Sequence, residues 1–336
     1  MILDGFDLSR RRLLVAEIGN NHEGSATLAL EMVAAAAEAG ADVVKVQVIN
    51  PERLVHRSQA ERVAQLSRFR LPLVAFAEMA SVARAKGMAF MASAFDEDSL
   101  RSVADMVAAV KIASGDLDFE PLLVTAAKLE KPIILSTGMA TLDEVQIAVK
   151  TIASHVPADS LPQRLALLHC VSTYPTPPAD ANLFAIQTLR DAFGLTVGYS
   201  DHTLGTECSV IALALGARII EKHFTLDKAR TSFRDHALSA DPEDLRQLAS
   251  IVHGIDCMLG TGKKQPSPAE AAVVMAVRRS IVAARDLAAG TRLTLEDLDF
   301  VRPRAGLPPS AAGALVGRTV RVSLKRHEPI LDSHIA

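Results

Sequence analysis

Eight short apolar runs alternate with amphipathic stretches over about the first 260 residues of this 336-residue chain, and no other feature limits the fold so much. The runs are Leu13–Gly19, Asp42–Val48, Met88–Ala94, Ala109–Ser114, Pro132–Thr137, Leu165–Cys170, Leu195–Asp201 and Arg218–Phe224. Short and rich in Val, Ile, Leu and Ala, they read as buried strands. Between them, segments such as Ser25–Ala39, Phe119–Glu130, Leu142–His155, Asn182–Phe193, Thr206–Leu215 and Pro242–Leu259 repeat apolar residues at helical intervals. Ser25 and Thr141 stand where N-caps are expected, and Gly40, Gly87 and Gly216 where helices stop. Eight βα units predict an α/β fold of the (β/α)8 TIM-barrel type. The competitor is an open doubly wound sheet, which usually shows a glycine-rich phosphate fingerprint after strand one. Here strand one runs into Glu17-Ile18-Gly19-Asn20-Asn21-His22, which is not that fingerprint, and the barrel is preferred.

The pattern breaks after Leu259. Gly260 to Pro268 is a polar, Gly- and Pro-rich linker, with a short helix expected to follow as far as Val277. The expected division is a barrel over 1–260, a linker over 261–277 and a small β-rich domain over 278–336. In that tail Ser280–Ala284, Arg292–Thr294 and Thr319–Ser323 read as strand-like pieces around an Ala289-Gly290 turn. Charge excludes one class of partner: 36 basic and 39 acidic residues leave a net charge of −3 and no basic stripe, so nucleic acid is not expected. Arg10-Arg11-Arg12 reads as a solvated lead-in to strand one. Cys170, Cys208 and Cys257 are few, odd in number and far apart, which suits a reducing cytoplasm. The start shows no charged-then-apolar leader and no run reaches membrane-spanning length. A soluble cytoplasmic protein with no membrane partner is expected.

Barrels collect their chemistry where strands end. Ser200-Asp201-His202 and Glu221-Lys222-His223 close the last two strands, their histidines 21 residues apart, which is one βα step. His202 and His223 are therefore a candidate pair for a divalent metal with open positions. Glu17 closes strand one, and Lys45 and Gln47 share a face of strand two. A lysine among valines is costly to bury unless an anion meets it. Ser93, Lys111, Ser114, Ser136, Ser172 and Tyr174 complete the rim. Taken singly, each hydroxyl reads as a cap or turn, each lysine as a core partner of Glu17, Asp116 or Glu221, and Cys170 as a small buried residue. Together they describe a metal-assisted enzyme acting on a small anionic, phosphorylated substrate.

Along its whole length the chain also resembles the sialic acid (N-acetylneuraminate) synthases and their nonulosonate-synthase relatives. The matching segments are Ala16–Ser25, Val44–Gln47, Lys111–Asp116, Leu135–Thr141, Leu168–Cys170 with Tyr174-Pro175, Gly198–Thr203 and Glu221–Thr225. Arg279–Ala284 and Val301-Arg302-Pro303 resemble the antifreeze-like (SAF) domain that this family appends to its barrel. The resemblance implies condensation of phosphoenolpyruvate with an open-chain N-acyl sugar aldehyde to a nine-carbon keto acid and phosphate. It implies manganese or magnesium on His202 and His223, and phosphoenolpyruvate on Lys45, Ser93, Lys111, Ser114 and Ser136 near Ser172. Glu17 would serve the reacting carbons, while Gln47, Tyr174, Asp235 and Arg302 would contact the sugar. It further implies a domain-swapped homodimer in which each tail caps its partner's barrel. Three segments depart from the family pattern: Ala92–Phe95, Ser172, and the loop Thr231–His236, one residue longer than usual. The acceptor is left open among N-acetylmannosamine, its 6-phosphate and the diacetamido-trideoxy hexoses of legionaminate and pseudaminate synthesis. A non-catalytic sugar-binding barrel with an SAF module is the rival from another class.

Overall fold

In the computed structural model, which describes residues 1–231 and 233–336, the eight expected strands pair in parallel and close on themselves. A hairpin of β1 (Ile2–Leu3) and β2 (Phe6–Asp7) precedes them. The barrel strands are β3 (Leu13–Gly19), β4 (Val43–Val48), β5 (Ala89–Ala94), β6 (Ala109–Ile112), β7 (Ile133–Ser136), β8 (Leu165–Cys170), β9 (Thr196–Asp201) and β10 (Ile219–His223). They follow in chain order around the ring, with β10 returning to β3. The caps form as expected. The Ser25 hydroxyl accepts from Leu28 N–H, Thr141 and Glu144 make a capping box, and Gly40, Gly87 and Gly216 take positive φ.

Because side chains alternate along a strand, each barrel strand serves two cores. Outward residues such as Leu14, Val44, Phe90, Val110 and Ile220 pack under the helices. Inward residues Leu13, Val15, Val43, Met91, Ile134, Leu168 and Ile219 fill the lower half of the barrel, where Leu3 and Leu8 from the hairpin region join them. Burying one such Leu or Val stabilises the fold by about 1.5–3 kcal/mol. Gly198 is needed in this ring, since a Cβ there would lie 2.4 Å from Ile219 O and 2.6 Å from Leu168 Cδ2.

The compact units run Met1–Gly260 and Thr261–Ala336. In the second, β11 (Ser280–Ala283) pairs antiparallel with β12 (Leu298–Val301) over a small core that includes Ile281, Leu293, Val320 and Ile330. β12 was not anticipated, because four residues of Leu-Asp-Phe-Val give too short an alternation to read. Arg292–Thr294 and Thr319–Ser323 form no named strand and pair through an isolated Arg292–Thr319 bridge. Helix Ala271–Val277 buries none of its residues, and Val273, Met275 and Val277 are exposed.

The arginine run requires a correction. Arg12 is buried rather than solvated. Its guanidinium bonds Asp256 Oδ1 at 2.7 and 2.9 Å and the carbonyls of Leu213 and Ala217, tying the start of β3 to the last barrel helix. The three cysteines are unpaired, and among the described residues no helix is long and apolar enough to cross a membrane.

Candidate active site

One step up each strand, the inward positions change character. Above the apolar floor they present Glu17, Lys45, Ser93, Lys111, Ser136, Cys170, Ser200 and Glu221, with His202 and His223 at the mouth, around a cavity of about 390 Å³. Gln47, Ser114, Ser172 and Tyr174 also line it. Eleven of the thirteen expected site residues thus share one cavity, although they come from the ends of the eight strands and the loops just past them. The other two stand elsewhere. Asp235 is buried one layer back, its carboxylate accepting from Arg234 Nε at 3.1 Å, and it is Arg234 that reaches the cavity. Arg302 is exposed in the second unit, just past β12.

The centre of the cavity is a buried charge network. Lys45 Nζ lies 2.9 Å from Glu221 Oε1 and 3.4 Å from Glu17 Oε2. Gln47 Nε2 donates to Glu17 Oε1 at 3.0 Å, and Ser200 Oγ donates to Glu221 Oε1 at 3.1 Å. Burial pushes the Glu17 carboxyl above its ordinary range; Lys45 opposes this and the Glu221 charge adds to it. Burial works on Glu221 in the same direction, but the ammonium groups of Lys111 and Lys45 overcome it and hold Glu221 down to about 2. Two neighbouring carboxyls are thereby driven apart, one toward carrying a proton and one firmly ionised. That separation is how acid–base roles are divided. Glu17 owes its aim to a local irregularity: the β3–β4 register shifts between Glu17 and Gly19, and Gly19 has φ +54°.

A second cluster faces β6 to β8. Lys111 Nζ donates to Ser136 Oγ at 2.7 Å, and burial lowers its pKa to about 8. Ser114 Oγ accepts from Gly138 N–H at 3.0 Å. A Cβ on Gly138 would lie 2.5 Å from Ser172 Oγ and 2.8 Å from both Cys170 Sγ and Ser114 Oγ, so the bare glycine keeps open a cradle ringed with hydroxyls. For Cys170, burial favours the thiol, but His202, Ser114 and Lys111 outweigh it and lower its pKa.

The histidines close the mouth, their ring centres 5.5 Å apart and Tyr174 4.2 Å from His202. His202 Nδ1 meets the Val171 carbonyl at 2.8 Å, which places a hydrogen on Nδ1 and fixes the ring's orientation. Burial above all, then His202 and Lys45, pushes the His223 pKa well below its ordinary value, and among the described residues its buried Nδ1 has no hydrogen-bond partner. Glu17 Oε2 and Glu221 Oε2 are likewise buried without one. Two imidazoles lining one cavity mouth fit a divalent cation. Among the described residues no group of three or more His, Cys, Asp or Glu is placed to hold a metal, so water and substrate would complete the coordination.

Arg234, Phe95 and Met139 were not foreseen as lining residues. Arg234 stacks 5.0 Å above the Tyr174 ring and also borders an adjoining cavity of about 610 Å³ with Glu23, Arg62, Gln65, Thr231 and Phe233. The departing loop therefore builds the wall of that second space, although Ser232 lies outside the described residues.

A closed barrel with cations, hydroxyls, split carboxyls and a histidine pair on its C-terminal rim is an enzyme of anionic-substrate chemistry. The model of the NeuB family matches residues 32–264, and that of the SAF domain matches residues 278–336. The chain is 38% identical to the N,N'-diacetyllegionaminic acid synthase of Legionella pneumophila, over 96% of this chain and 94% of that protein. It is 32% identical to the N-acetylneuraminate-9-phosphate synthase of Mus musculus, over 96% and 92%. Among solved structures, the N-acetylneuraminic acid (sialic acid) synthetase of Leptospira borgpetersenii in complex with citrate superposes with a TM-score of 0.72 at 35% identity, over 79% of this chain and 90% of that one. The chain belongs to the NeuB family: it is a phosphoenolpyruvate-dependent nonulosonate synthase, a transferase, with a C-terminal SAF domain.

Proposed function

We propose that the chain joins C3 of phosphoenolpyruvate to the aldehyde carbon of an open-chain N-acyl hexosamine, giving a nine-carbon 2-keto sugar acid and phosphate. The observation that supports this best is the convergence, in one cavity, of a cation-and-hydroxyl cradle and a histidine pair, with Glu17 on the shared wall. Lys45, Lys111, Ser93, Ser114 and Ser136 would hold the phosphate and carboxylate of phosphoenolpyruvate. His202 and His223 would hold manganese or magnesium, which when bound supplies Lewis-acid polarisation of the aldehyde oxygen.

Bond formation leaves C2 electron-poor, and water must then add there. Glu17 would take one proton from that water and pass it to the former aldehyde oxygen, which finishes as a hydroxyl; the adduct then loses phosphate, which carries off the water's other proton, to give the ketone. Gln47, Tyr174 and Arg234 would orient the sugar, with Asp235 holding Arg234, and the far end of the sugar would enter the cavity beside Arg62 and Thr231.

N-Acetylmannosamine is the simplest acceptor that meets these requirements. A diacetamido-trideoxy hexose is the second reading, favoured by the higher identity to a legionaminic acid synthase than to a neuraminate-9-phosphate synthase. Incubation with phosphoenolpyruvate and each of N-acetylmannosamine, its 6-phosphate and the diacetamido sugars, with mass detection of the keto acid, decides between them. No product from any of them defeats the proposal.

We also infer a cytoplasmic homodimer in which Arg302 of one chain reaches its partner's site. The exposed apolar side of Ala271–Val277 supports an intermolecular contact.

A further inference from the structure

Asp201 and Lys222 immediately precede the two histidines, and they face each other as the last ladder pair of β9 and β10. No backbone pairing between these strands continues past them to His202 and His223. Alternation turns both side chains away from the cavity, into the layer beneath the helices. Both are fully buried, with Lys222 Nζ 3.3 Å from Asp201 Oδ2. The ammonium also donates to Thr203 O at 2.5 Å. Asp201 Oδ1 accepts from the Thr203 N–H at 2.8 Å and its hydroxyl at 2.7 Å, and Oδ2 accepts from Ser209 Oγ at 2.6 Å. The residues on either side of His202 are thus tied by side chains to the residue before His223. A buried ion pair gives no reliable gain in stability over apolar residues of the same volume, so stability alone is a weak reason for this one.

We infer that the Asp201–Lys222 pair is a positioning clamp: it fixes the separation of His202 and His223 and thereby sets their affinity for a divalent cation. This rests on the reading of those histidines as metal ligands. The pair acts through the histidines and touches neither substrate nor cavity.

The test is manganese binding by the full chain without substrates, followed by the electron paramagnetic resonance of free Mn2+. Asp201→Asn with Lys222→Met removes both charges and keeps the volumes close. Binding should weaken about 10–100-fold, the range typical of groups that orient metal ligands. The manganese concentration for half-maximal activity should rise by the same factor, while kcat at saturating metal stays near that of the unaltered chain. A role in folding alone would lower Tm and leave manganese affinity unchanged, which overturns the proposal. Ser209→Ala removes one hydrogen bond and should weaken binding about threefold; it decides the matter if the double variant does not fold. His202→Ala and His223→Ala are measured in parallel. Manganese retained by these defeats the ligand reading itself. Manganese lost by these but held normally by the double variant and by Ser209→Ala defeats the clamp alone.

Discussion

The floor and the rim of the barrel are built from the same strands yet answer to different requirements. β3 sends Leu13 and Val15 inward near its start and Glu17 near its end; β4 sends Val43 and then Lys45; β10 sends Ile219 and then Glu221. The lower residues exclude water and hold the ring closed. Two residues further on, at the same depth of burial, the chain instead places charges whose desolvation opposes folding. The rim can hold such charges because the floor and the helix layer beneath it supply the stability. Stability and reactivity should therefore respond to different substitutions along a single strand.

The largest effect should come from the histidines. His202→Ala or His223→Ala should reduce turnover to background, since the proposed metal site has only these two protein ligands and little redundancy, while Tm changes little. Turnover that persists in either variant, or in excess chelator, would break the contrast at its strongest point. Glu17→Gln should lower kcat by roughly 10²-fold or more with phosphoenolpyruvate affinity nearly kept, because the proposed acid–base role acts in the transition state. Its stability should be equal or higher, as a costly buried carboxyl is replaced by a neutral group of the same size. A change confined to KM would assign Glu17 to binding instead.

Lys111 offers a pH test with a definite sign. Its ammonium has a pKa lowered by burial to about 8, so the charge is present below that pH and lost above it. On the alkaline side kcat/KM for phosphoenolpyruvate should fall as pH rises through about 8, and Lys111→Arg should move that limb to higher pH. A limb that stays in place in Lys111→Arg belongs to another group. Subunit mixing sharpens the picture of the tail. Glu17→Gln and Arg302→Ala chains, each inactive alone, should recover about a quarter of full activity after random exchange if sites are composite. Exchange without recovery would put the whole site in one chain. The smallest kinetic effect belongs to the floor: Leu13→Ala should cost about 2–5 kcal/mol of stability while kcat and KM of the folded fraction stay within about twofold.

The rim was legible in the sequence for a physical reason. A Lys, Glu or His that closes a run of valines and leucines has no apolar explanation, and eight strand ends in a barrel must converge. Glu17, Lys45, Lys111, His202 and His223 were found this way, and the strand boundaries held to within one or two residues at each end. What the chain hid depends on distance. Arg12 looks like one of three solvated arginines until Asp256, 244 residues away, is seen beside it. Arg234 stands in the departing loop Thr231–His236 but was not singled out, because a loop, not a strand period, brings it over Tyr174. The hairpin β1–β2 and strand β12 are shorter than any periodicity can reveal.

The most direct measurement follows inorganic phosphate and keto acid together, from phosphoenolpyruvate with manganese, with and without an N-acyl mannosamine or its diacetamido counterpart. Phosphate should appear only when the aldose is present, one for each nine-carbon acid, and chelation should stop both. Phosphate released at the same rate without any aldose, or no phosphate with any of them, would rule out the condensation.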